Sequence, residues 1–355
     1  MQSAPKPTPS PRSSQSDVTS ALALLLAFLS SLTLNALATR SPSPLVLFSN
    51  SLLAHTHPVY SLPSGYAFAV WGLIYALEAL FVVYQLIPAA GLHAPAARAV
   101  RAPAACAFVA NGVWLLLFGN ERYWPALLVI VLYTWMLFEV VQRLDAIFRK
   151  DKVGLLTKLV IGAGFSANAS WVTVASVLQI QVNLLEEGWL PSADFSIGLL
   201  LVAVMVAAIS TFSRADAIFA LVAAWALGGI INNQSPDSTW GCAAQICPAC
   251  QNATSLSICS RPSSAPSHGL PNGWGGLECA PYTSNKPAPS DPGCVVPKSD
   301  AVIGWCYAGI AVVALALVAG FAHKAARSRR AAMDNVTRSS LLEDERPPTG
   351  SNARP

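Results

Sequence analysis

Charge is scarce in this sequence: Asp, Glu, Lys and Arg make up 11% of its 355 residues, against 54% apolar residues. With a mean hydropathy of +0.48, there is too little charge to clothe a soluble protein of this length, and the chain reads as a polytopic membrane protein. Nucleic acid binding gets no support from so sparse a set of cations. Histidine is rare too. All five, His55, His57, His93, His268 and His323, lie outside the long apolar runs or at their ends, which argues against a haem or carboxylate-bridged metal centre in a bundle core. The chain carries no Walker loop, no dinucleotide glycine pattern and no nucleophile elbow, and no lysine stands mid-run. Enzyme readings therefore start poorly.

What the sequence has is long apolar runs. A helix crosses the hydrocarbon with roughly 20 mostly apolar residues, and that window gives eight candidates, at about 18–38, 66–87, 102–118, 123–143, 155–181, 195–212, 215–231 and 301–322. The short polar links "GNERYW" and "SRAD" imply tight antiparallel hairpins. With both termini in the cytosol, Lys and Arg collect on one side. Lys6, Arg12, Arg98, Arg101, Arg143, Arg149, Lys150, Lys152, Arg214, Lys324, Arg327, Arg329 and Arg330 all fall there, as the positive-inside rule requires. The expected organisation is a disordered tail over 1–17, a five-helix core over 18–185, two more spans over 186–231, a loop over 232–300, a last span over 301–323 and a disordered tail over 324–355.

Cysteine is concentrated in one place. Cys242, Cys247, Cys250, Cys259, Cys279 and Cys294 all lie between the last two spans, in a Pro-, Ser- and Gly-rich segment facing away from the cytosol. An even set of this kind reads as a disulfide framework, without a choice of pairing. The rival, a zinc knuckle on "CPAC", lacks a second closely spaced pair of ligands. "NAT" at Asn252 and "NQS" at Asn233 are glycosylation acceptors on the same side. These features together point to the secretory pathway or plasma membrane. The Ser- and Pro-rich N-terminus, free of acids over 1–16, faintly resembles an organelle transit peptide, but its prolines forbid the basic amphipathic helix of a mitochondrial or plastid leader.

Polar groups recur within the apolar runs at helical spacing. In the second span Phe68, Trp71, Tyr75 and Glu78 form one stripe; the third carries Asn111, Trp114 and Phe118; the fifth carries Asn168, Trp171, Ala175 and Gln179. A carboxyl in hydrocarbon costs several kcal/mol unless protonated, paired or hydrated, so Glu78 should face the bundle interior. The stripes read as walls of a cavity or, in the plainer alternative, as helix packing. Glu139 is placed to pair with Arg143, one turn on. Trp124, Trp189 and Trp305, near span ends, read as interfacial anchors.

The motifs "PSGYAFAVWGLIY", "NGVWLLLF", "LYTWM" and "ASWVTVAS" follow one another in the order of the tryptophan-rich sensory protein and translocator protein (TspO/MBR) family, which the chain resembles over about residues 18–185. Ser64 and Ala69 stand where the family usually has prolines. The resemblance implies an all-α, five-helix transmembrane core, here with three further helices. It also implies a cavity for a porphyrin, sterol or similar small hydrophobic ligand, with no required cofactor or metal. By position its walls would hold Phe68, Trp71, Tyr75, Asn111, Trp114, Trp171 and Ala175, with the first connection, 48–65, as a lid carrying His55 and His57. Glu78 lies outside the family signature. It suggests an alternative, proton-coupled transport of a small hydrophobic molecule. Membrane lipid is the expected surrounding partner, and a homodimer is left open.

Overall fold

The computed structural model of the protein describes residues 11–40, 43–49, 53, 57, 59–88, 94–150, 153–189, 191–235, 257–260, 278–281 and 299–344. Eight α-helices dominate: α1 (Pro11–Thr39), α2 (Val70–Leu86), α3 (Pro95–Gly119), α4 (Tyr123–Lys150), α5 (Leu155–Glu186), α6 (Ala193–Arg214), α7 (Ala217–Gln234) and α8 (Asp300–Asp344). A 3-10 turn, Gly65–Ala69, leads into α2. All eight are long and apolar enough to cross a membrane, so the protein is a multi-pass membrane helix bundle. The side of the bundle at which α1 begins is the terminal face; the side at which α1 ends is the loop face.

Local chemistry sets the helix ends. Pro95 occupies the first turn of α3, where its missing N–H costs nothing. Ser192 caps α6 by accepting from the Phe195 N–H at 3.2 Å, and Asp216 caps α7 by accepting from the Phe219 N–H at 3.0 Å. The α6–α7 hairpin turns on Ala215 in the left-handed region, φ 51°.

α5 is the central post. It packs against α2, α4, α6 and α7, and every residue from 163 to 172 is buried. The stretch "AGFSANASWV" makes this feasible. Lipid offers no hydrophobic drive for helices to associate, so close approach through small side chains supplies the van der Waals energy. Along α5 the closest approach at a glycine is at Gly164, where an added Cβ would stand 2.9 Å from both Cγ and backbone N of Glu78 on α2. Around the post, α3 packs on α1 and α4, while α8 lies across α6 and α7.

Several sequence expectations are corrected. α1 begins at Pro11, inside the segment expected to be a disordered tail, and α8 continues through the basic stretch to Asp344; "KAARSRRAAM" consists largely of good helix formers, which explains the extension. α3 starts seven residues before the expected 102, at Pro95. Arg101, placed by sequence in a cytosolic connection, is consequently buried in the bundle at 3% exposure. The cysteine-rich segment contributes an antiparallel two-stranded ladder, β1 (Ser257–Ser260) with β2 (Glu278–Pro281). Cys242, Cys247, Cys250, Cys294 and Asn252 lie outside the described residues. Asn233 is fully buried in α7, and its amide donates to the Leu62 carbonyl at 2.9 Å. That amide is an internal donor, so Asn233 is not a glycan attachment point in the folded chain.

Candidate ligand site

A polar string crosses the bundle at mid-depth. Glu78 of α2, 1% exposed, accepts a hydrogen bond at Oε1 from Nδ2 of Asn168 on α5, 2.7 Å away. The same amide nitrogen donates to the Tyr133 hydroxyl of α4 at 2.6 Å. One turn of α2 nearer the loop face, Tyr75 accepts at 3.1 Å from Nδ2 of Asn111 on α3, which also donates to Ser31 of α1 at 2.8 Å. Five helices thus contribute to one layer. Three oxygens in it make no hydrogen bond: Oε2 of Glu78, Oδ1 of Asn111 and Oδ1 of Asn168 are all buried without a partner. Each such atom withholds the energy that solvation would have given it, about 1–3 kcal/mol.

Next to this layer, toward the loop face, stand the aromatics. Trp71 stacks on Tyr75 with ring centres 5.5 Å apart and meets Trp171 edge-on at 6.3 Å; Phe68 meets Trp171 edge-on at 5.6 Å. Trp114 stacks on Phe118 at 5.3 Å, and its indole N–H donates to Oε1 of Gln179 at 3.2 Å. Gln179 is two helical turns beyond Trp171 on α5, with Ala175 between them on the same face, so the residues read from sequence do converge. Trp114 and Trp171 are buried, whereas Phe68, Trp71, Tyr75 and Ala175 are half-buried. The open edge of the aromatic layer is thus on the α2 side.

Sequence reasoning placed Asn168 on the correct stripe but did not count it among the ligand residues, and it missed Tyr133 and Ser31. Tyr133 falls inside the quoted motif "LYTWM", but nothing in that motif marks its hydroxyl as part of a polar layer. Its role follows only from how α4 lies against α5.

The first connection is fastened across the loop face. His57 turns Nδ1 to the Leu53 carbonyl at 2.7 Å and Nε2 to the Glu186 carboxylate at 2.5 Å, with the Tyr123 hydroxyl 3.3 Å from Nε2. Both imidazole nitrogens are therefore engaged within the protein. Gln181 of α5 donates to the Ser61 hydroxyl, and α7 holds the following residues. Gln234 donates to the Tyr60 carbonyl at 3.0 Å, and Ser64 donates to Oδ1 of Asn232 at 2.7 Å. The Trp225 indole N–H donates to the Ala67 carbonyl at 2.9 Å. The close approach of the 3-10 turn requires a glycine at 229, since a Cβ there would stand 2.7 Å from that of Ala67. A helix expected to be an addition to the core is thus part of what anchors the strap over it.

At the terminal face Arg101 is a second buried polar knot. It donates from Nε to Oε1 of Gln85 at 2.7 Å, and from Nη1 to Oδ1 of Asp17 at 3.3 Å and to the Ser20 hydroxyl at 3.1 Å. These contacts tie α1, α2 and α3 together. The surface pair of Glu139 and Arg143 forms as the spacing predicts, at 2.6 Å. Among the described residues no group of three His, Cys, Asp or Glu side chains is placed to hold a metal ion.

Fold and site together define a polytopic helix-bundle membrane protein with an internal aromatic and polar layer. Its sequence matches the family described as TSPO-like protein over residues 21–256. The match covers about two thirds of the chain, and the protein belongs to that family. The matched region runs well past residue 185 to take in α6 and α7, in keeping with the part α7 plays in holding the strap. No curated protein and no solved structure matches the chain.

Proposed function

We propose that the protein binds a flat, largely apolar small molecule of the porphyrin or sterol kind, in a sensory or ligand-handling role, without catalysing a reaction. The observation that carries this reading is the adjacency of three unpartnered buried oxygens to a layer of stacked and edge-on aromatic rings. Aromatic faces receive a flat apolar body, while buried acceptors reward a ligand that brings N–H or O–H donors. A porphyrin's pyrrole N–H groups or a sterol's hydroxyl meet that requirement. The half-buried edge on the α2 side would admit such a molecule from the bilayer, where apolar ligands concentrate. In this reading both termini are cytosolic, the cysteine-rich segment is luminal or extracellular with its disulfides and the Asn252 glycan, and the chain resides in the secretory pathway or plasma membrane.

The test is intrinsic tryptophan fluorescence of the full-length protein in detergent, titrated with protoporphyrin and, separately, with cholesterol. Saturable quenching by protoporphyrin is expected, with Trp71→Phe reducing its amplitude and Glu78→Gln shifting the midpoint. No saturable change with either compound would refute the reading.

A second reading, proton-coupled transport, is favoured by one observation, the carboxyl of Glu78 buried at the centre of the bundle. In proteoliposomes it demands ligand flux that follows an imposed pH gradient and stops in Glu78→Gln. Binding without gradient-dependent flux leaves the first reading standing alone.

A further inference from the structure

Away from the aromatic layer, α4 and α6 both pack on the central post while a groove separates them. They are joined at the terminal face, where Nη2 of Arg149 donates to the Ser213 carbonyl at 3.0 Å. The groove holds a cavity of about 480 Å³ whose lining includes Phe138, Ala146, Val206, Ile209, Arg149 and Arg214. Its wall is apolar toward mid-membrane, and Ile209 is 69% exposed in the protein alone. The polar end coincides with the ends of two spanning helices, at Lys150 and Arg214, the depth at which lipid headgroups begin.

The two arginines differ. Arg149 is committed, since Nη2 also donates to Oδ2 of Asp145 at 2.5 Å. Arg214 is only 9% exposed, yet its Nε and Nη2 make no hydrogen bond. Its nearest carboxylate oxygen, Oδ2 of Asp216, is 3.5 Å away and already accepts from the Ser166 hydroxyl, while Oδ1 of Asp216 caps α7. The guanidinium rests over the Phe219 ring, 5.5 Å from its centre. Asp145 and Asp216 balance the charges of the two arginines. What remains at the polar end is therefore a charge-balanced guanidinium that lines the cavity, ion-paired through Nε to Asp216, whose buried Nε and Nη2 have no hydrogen-bond acceptor; this suits a phosphodiester better than a highly charged headgroup.

We propose that this groove is a glycerophospholipid site, with the lipid phosphate accepting from Arg214 and one acyl chain lying along Phe138, Val206 and Ile209. The inference is independent of the ligand proposed for the aromatic layer. It commits to a lipid from the leaflet bordering the terminal face, because the apolar wall runs from the donors toward mid-membrane.

The test is native mass spectrometry of the full-length, detergent-purified protein, titrated with dioleoylphosphatidylcholine, dioleoylglycerol and glycerophosphocholine. One saturable phosphatidylcholine adduct per chain is expected, with the diacylglycerol bound roughly tenfold more weakly, the scale of a charge-assisted hydrogen bond. Glycerophosphocholine should not compete. Arg214→Gln, and to a smaller degree Arg214→Lys, should erase the preference for the phospholipid over the diacylglycerol. Ala146→Trp fills the groove at an exposed position with Arg214 intact, and should weaken both lipids. The proposal is overturned if the wild-type protein does not distinguish phosphatidylcholine from diacylglycerol, if folded Arg214 variants keep the preference, if Ala146→Trp binds both lipids unchanged, or if glycerophosphocholine binds as tightly as the lipid.

Discussion

Gly164 and Gly72 receive the same substitution in one experiment and should respond with opposite signs. Both stand inside helices, where glycine costs about 0.5–1 kcal/mol relative to alanine because it loses more backbone entropy on folding. At Gly72 on α2 an added Cβ meets nothing within 4 Å, so Gly72→Ala should realise that gain in full. At Gly164 the new methyl group would lie 2.9 Å from the Glu78 backbone nitrogen, 2.9 Å from its Cγ and 3.1 Å from the Leu77 carbonyl carbon. Two of those atoms are backbone, which cannot swing aside as a flexible side-chain tip would. α2 and α5 must separate by several tenths of an ångström, and the 2.7 Å bond between Asn168 and Glu78 stretches with them. Overpacking of this kind costs about 1–3 kcal/mol; set against the propensity gain, it leaves Gly164→Ala less stable by about 1–2 kcal/mol. Thermal unfolding of the full-length protein in one detergent, read by helical circular dichroism, compares the two directly. Gly72→Ala should raise Tm and Gly164→Ala lower it. A rise in both would mean that α2 and α5 do not approach as described, and the polar layer built on that approach would lose its foundation.

Arg101→Met should destabilise the protein by about 2–3 kcal/mol, because it removes the buried partner of Asp17 and Gln85 and leaves Asp17 only the half-exposed Arg98, 3.7 Å away; limited proteolysis of the α1–α3 region would report the loosening. Trp114→Phe keeps the stacking on Phe118 but strips Gln179 of its indole donor, a cost of about 1 kcal/mol that the same unfolding assay resolves. His57→Ala should speed backbone hydrogen exchange over 59–64 with little change in Tm, since its partner Glu186 is 45% exposed and a half-solvated pair contributes about 1 kcal/mol or less.

The tryptophan stripes were legible in the sequence because helical periodicity alone brings Phe68, Trp71, Tyr75 and Glu78 to one side of a helix. The partners of those stripes were not. Asn168 was visible as a polar residue beside Trp171, but that its amide would span Glu78 and Tyr133 depends on how three helices sit against one another. Arg101 misled for a related reason. Arginine near the end of an apolar run reads as a solvated flank, and only the approach of Asp17, Ser20 and Gln85 from other helices makes a buried position tolerable. Asn233 carried an acceptable glycosylation motif, and its burial against Leu62 depends on the strap and α7 meeting across a long stretch of chain.

The sequence by itself determined the class and the eight runs that form the long apolar helices among the described residues, because hydropathy is local and a bilayer responds to each run separately. It also determined which helix faces carry aromatics and amides, since the 3.6-residue repeat is a property of each helix alone. The tertiary structure decided that α5 is the post on which the bundle is assembled, that α7 shares in holding the strap, and that three acceptor oxygens remain unmet beside the tryptophans. Those are relations between helices distant in sequence, set by which small residues permit backbones to touch, and no single stretch of the chain encodes them.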